Sequence, residues 1–177
     1  MVHYHFRDRD QLIDAVVEEC LVPLIRNVWG PTQSGQPAAE LVRGLVERLL
    51  DQIECQPWVP STWMREILNE GGLLRERLLR RLPLDRVRIV GRAVALGQAQ
   101  RTVNPDIDPI LFVFSTLGLV MVHMATIRVW GQIFHRQPPT KRAMQRHIVS
   151  ILLQGLGYGS VSPRSRQIRT HTERRKA

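Results

Sequence analysis

Six histidines and two cysteines are the side chains in this chain best suited to metal binding or nucleophilic work. Their spacing organises neither. Cys20 and Cys55 stand far apart, with no Cys-x-x-Cys pair and no histidine at zinc-ligand spacing. His135, His147 and His171 fall in separate segments, and His123 sits alone in an apolar run. Nucleophile-elbow, zinc-protease and phosphate-loop signatures do not occur in the sequence. An enzyme is therefore not expected, and neither is a metal or a cofactor. Two unpaired cysteines fit a reducing, cytoplasmic compartment.

The elements that must position any site are helical. With 177 residues, 44% of them hydrophobic and 23% charged, the chain is long enough for one well-packed domain. The net charge of +9 suits a polyanionic partner, nucleic acid before acidic membrane. Much of that charge lies at the end: from Arg164 to Lys176, five arginines and one lysine face a single acid, Glu173. The expected organisation is a body over 10–158 and a basic, disordered tail over 159–177.

Asp8, with Gln11 three residues on, is a capping signal for a first helix. Leu12, Val16, Cys20, Leu24 and Val28 recur at every fourth place, with Ile13, Val17, Leu21 and Ile25 beside them. Pro23 lies well inside this helix. It has no amide for the carbonyl of Glu19, so a bend is expected there, a tolerated kink or a working hinge. A second stripe, Leu41, Leu45, Leu49 and Ile53, has Arg43, Glu47, Arg48 and Asp51 opposite it. Ser61 is read as the cap of a short helix through Asn69, and further helices are expected over 73–82 and 85–101. Asp108 and Thr140 cap the last two helices, 108–134 and 140–156. The run 109–127 carries no charge, which meets the length criterion for a membrane span. His123, Ser115 and Thr116 lie within it, and every earlier helix is amphipathic, so a helix buried on both sides of a soluble bundle is expected, without a membrane.

The opening residues MVHYHFRDRD, running into a capped amphipathic helix, resemble the end of the helix-turn-helix in TetR-family transcriptional regulators. Val2, Tyr4, His5, Phe6, Arg9 and Leu12 match that pattern, and His3 stands where the family often has a second tyrosine. The turn 104–109 before a long apolar helix, and the stretch 58–72 with Trp63, Arg65, Glu66 and a double glycine, resemble the family's sensor domain. The resemblance implies an all-α helical bundle of the TetR C-terminal ligand-binding and dimerisation type, with 1–9 as the end of the recognition helix and its turn. It implies a ligand-responsive repressor whose effector is small and largely apolar, and whose homodimer forms through the last two helices. The alternative is a truncated interaction module that heterodimerises with a full-length relative.

Residue roles follow from the same resemblance. His3, Tyr4, His5 and Arg9 match positions that contact DNA phosphates, contacts that position a protein without reading bases. Specific DNA binding is expected only if the preceding helices of the motif are present. Trp63, Met64, Phe112, Ser115, Leu119 and His123 are expected to face the effector, each with plain core packing as its other reading. Phe114, Leu117, Met121, Ile148, Ile151 and Leu152 are expected at the dimer interface. Pro23 becomes the candidate hinge, because the family transmits ligand binding by tilting the first long helix.

Overall fold

In the computed structural model, which describes residues 8–70 and 72–157, the chain is an all-α bundle. Asp8 opens the first helix from extended backbone and its carboxylate accepts the amide of Gln11 at 2.8 Å. This helix, α1, covers 9–29 in three parts: α-helical Arg9–Val16, a π turn Val17–Leu21, and α-helical Val22–Trp29. In the π turn the ladder slips by one residue, with the amide of Val22 donating to Val17. Pro23 follows directly, so the expected disturbance takes the form of a π turn.

Only part of the two expected rows is buried. Ile13, Val17 and Leu21 face inward at a spacing of four, and the row then steps to Leu24 and Val28. Val16 and Cys20, expected in the stripe, are exposed. The two halves serve different neighbours. Val17 and Leu21 pack in a small satellite cluster with Ile67 and Leu78, whereas Leu24 and Val28 belong to the main core.

Helix α2, Ala38–Cys55, is the axis of that core. Leu41, Val42, Leu45, Val46, Leu49, Leu50 and Ile53 are all buried, because two adjacent apolar rows give a face wide enough to meet α1 and three later helices. Arg48, expected on the solvated side, instead donates to the carbonyl of Val28 at 2.6 Å. Partial burial lowers its pKa from the usual value, and Glu47 opposes that shift only in part.

Helix α3 covers 59–67 as α-helical Val59–Thr62 and a second π turn, Trp63–Ile67. It begins before Ser61, so Ser61 is not its cap. The Ser61 hydroxyl instead donates back to the carbonyl of Trp58 at 2.9 Å. Helix α4, Arg75–Leu79, is shorter than the expected 73–82, and α5 spans Leu84–Ala99 behind Pro83.

Asp108 caps α6, Pro109–Ile133, by accepting the amides of Ile110 and Leu111 at 2.8 Å. Thr140 caps α7, Lys141–Leu156, through the amide of Ala143. These seven helices, with no strand, make up the regular structure of the described residues. The amide of Asn104 closes on the carbonyl of Leu156 at 2.9 Å, tying the turn before α6 to the end of α7. At the opposite end of α7, Lys141 bridges Asp51 at 2.9 Å and Glu54 at 2.5 Å on α2. Those carboxylates, Glu54 first, raise its pKa.

Helix α6 is long and apolar enough to cross a membrane by length and composition, with a mean hydropathy of 2.1, and 28% of that window is buried. Phe112, Val113, Thr116, Val120 and Met121 turn inward. Leu111, Phe114, Ser115 and Val122 form an outward stripe that nothing among the described residues covers.

Candidate functional site

The two π turns wall one cavity. Leu21 comes from the first, Trp63 and Ile67 from the second. Ile25 and Val28 extend the α1 wall, Leu49 is the floor from α2, and Leu117 and Met121 close the side facing α6. The short helix α4 and its flanks supply Leu74, Leu78 and Leu82. No charged side chain lines the cavity. Its free room is about 60 Å3, well below the roughly 300–1,000 Å3 of a site holding a drug-sized ligand. An apolar space of this kind stays dry and accepts an apolar guest if a wall can move.

The wall with the weakest hold is α4. It is five residues long and has one apolar and one cationic side. Arg77 donates to Asp10 at 2.8 Å and to Asp14 at 2.5 Å, and Arg81 pairs with Glu18. The hydrogen bond that Arg77 donates to Asp14 is the main reason that its pKa rises. A strap is thus clasped to the first half of α1 by ion pairs on its outside, while its leucines close the cavity on the inside.

The expected site residues sort unevenly around this cavity. Trp63 lines it. Met64, one residue on, points to solvent. Phe112 is buried in the main core away from the cavity, Ser115 is exposed on the outer stripe, and Leu119 packs at the edge of the core. His123 faces a separate groove, its Nδ1 donating to the carbonyl of Leu119 at 2.7 Å.

The expected dimer residues divide as well. Phe114 and Ile151 are 53% and 44% exposed and face outward. Leu117 and Met121 line the cavity, and Ile148 and Leu152 are buried within the protomer. On α6 the face assigned to the effector lies about half a turn from Leu117 and Met121, and the face assigned to the dimer about a quarter turn from the outward stripe. A helix apolar all round gives no phase by which to choose, whereas packing on α2 and α5 fixes one.

Arg9 is exposed in the first turn of α1. His3, Tyr4 and His5, and the tail 159–177, lie outside the described residues. Pro23 is exposed just after the first π turn, not in the cavity. Among the described residues no three His, Cys, Asp or Glu side chains gather as a metal set. The walls supplied by α1 and α4 have no sequence signal beyond ordinary apolar periodicity. No family model matches the chain, and no curated protein sequence matches it.

Proposed function

We propose that this chain is the effector-sensing, dimerising body of a ligand-responsive transcriptional regulator, a repressor of the TetR type acting in the cytoplasm. One observation carries the reading: an uncharged cavity is walled by a π turn of α1, the helix that follows directly on the residues resembling a helix-turn-helix end. The lining selects a small, uncharged, apolar effector, since a charge placed there would lose its hydration with no partner in return. An effector larger than the free room pushes α4 outward, and α4 is clasped to Asp10, Asp14 and Glu18 on the first half of α1. Occupancy then reaches the helix that a DNA-binding domain rides on. Specific DNA binding belongs to the helices of that domain. The outward stripe of α6 supports a homodimer, and it would serve equally for pairing with a full-length relative.

The test is a thermal-unfolding screen of neutral alkylbenzenes of increasing size. The expected result is a rise in melting temperature for small members, and a preference for bulkier members in Trp63→Ala, which opens the cavity. The reading fails if no neutral apolar compound raises the melting temperature of the chain, or if Trp63→Ala leaves the size preference unchanged.

A further inference from the structure

We infer that the end of the α6–α7 hairpin is a second binding site, separate from the apolar cavity, and that it takes a small planar aromatic carboxylate. A groove of about 380 Å3 opens between the last turns of α6 and the first turns of α7, a volume within the usual range for small-molecule sites. Its wall is aromatic. Trp130 and Phe134 stack with ring centroids 5.7 Å apart and planes 22° from parallel, giving one extended flat face. The indole is held in place by its N–H, which donates to Thr126 Oγ1 at 3.1 Å. Pro138 and Pro139 form the lip, and His123 and His147 close the inner end with ring centroids 5.8 Å apart.

The charge around this groove has one sign. No Asp or Glu occurs anywhere in 109–157, while Arg128, Arg136, Arg142 and Arg146 all fall in or beside the hairpin end. Lys141 is engaged by Asp51 and Glu54. Those four arginines make no ion pair within the described residues. Arg136 lines the groove itself, and its guanidinium, a planar fork of donors, is the group we assign to a carboxylate. A flat apolar wall with an unpaired cation at its rim is complementary to an aromatic acid. It is not complementary to a neutral hydrocarbon, nor to a second copy carrying the same arginines.

The probe is 1-naphthoate, titrated into the full chain by calorimetry and compared with neutral 1-naphthalenemethanol. Naphthoate is expected to bind saturably, and Arg136→Gln and Trp130→Ala are each expected to weaken it about tenfold, the first by losing a charge-assisted contact and the second by losing a stacked ring. Arg136→Gln leaves the neutral analogue unaffected, and Trp63→Ala, in the other cavity, leaves naphthoate affinity unchanged. Trp130 and Arg136 are both exposed, so these variants keep the fold. Naphthoate that does not saturate, or that binds equally to both variants, overturns the assignment. So does loss of naphthoate binding in Trp63→Ala, which places the ligand in the apolar cavity. Halving of the mass of Trp130→Ala in light scattering also overturns it, since Trp130 then belongs to a subunit seam. None of these outcomes bears on whether neutral alkylbenzenes occupy the apolar cavity.

Discussion

Helices α2 and α6 are both rich in apolar residues, and they use them in opposite ways. Every buried apolar residue of α2 lies against another part of the same chain, none more than 6% exposed. Helix α6 is the more apolar of the two, yet Leu111, Phe114 and Val122 face outward along its length. An apolar face in α2 is accounted for by the fold. An apolar face in α6 needs something besides the fold, and scattered single apolar residues do not align over several turns as these do.

The sharpest way to break that contrast is to damage each helix in turn. Leu45→Ala empties a fully enclosed site in α2 and is expected to cost about 2–5 kcal/mol of unfolding free energy in urea. A loss below about 1 kcal/mol would mean that α2 is not the axis of the core. Phe114→Glu on α6 should leave the helical content and the urea transition of the protomer nearly intact, while light scattering finds the mass halved. An unchanged dimer would place the seam elsewhere, and a chain extractable only with detergent would return α6 to the bilayer. The smallest effect is expected at the surface. Arg77→Gln removes the clasp between α4 and α1 and should lower the melting temperature slightly at low salt, with the difference fading as salt screens the pairs. The raised pKa of Arg77 keeps the guanidinium charged at any pH the protein survives, so salt is the useful variable. A difference that persists at high salt would show that Arg77 acts by packing instead.

The same contrast explains how much could be read in advance. The stripe Leu41, Leu45, Leu49 and Ile53 was legible because polar residues on the other face set its phase. The caps Asp8, Asp108 and Thr140 were legible because a side chain three residues or fewer from its amide needs no tertiary context. The faces of α6 were not, since an unbroken apolar run has no phase until α2 and α5 pack on it. The first π turn had a local signal in Pro23 and its missing amide. The second, at Trp63–Ile67, has none, and it brings Ile67 to the cavity beside Trp63. Trp63 was picked out by residue type, whereas Leu74, Leu78 and Leu82 reach the cavity only because α4 folds back over α1.

The π turn in α1 can also be seen as an insertion that the helix has absorbed. Winding 17–21 into an unbroken α ladder without losing a residue would turn everything upstream by about 100° relative to Leu24 and Val28. Ile13 would then swing out of the interior, and Asp10 and Asp14 would leave Arg77. The chain would keep its main core, because that core uses only the second half of the helix. It would lose the satellite cluster and the clasp together. A relative whose first helix ran unbroken over the same length would share this bundle while pointing whatever precedes α1 in a different direction.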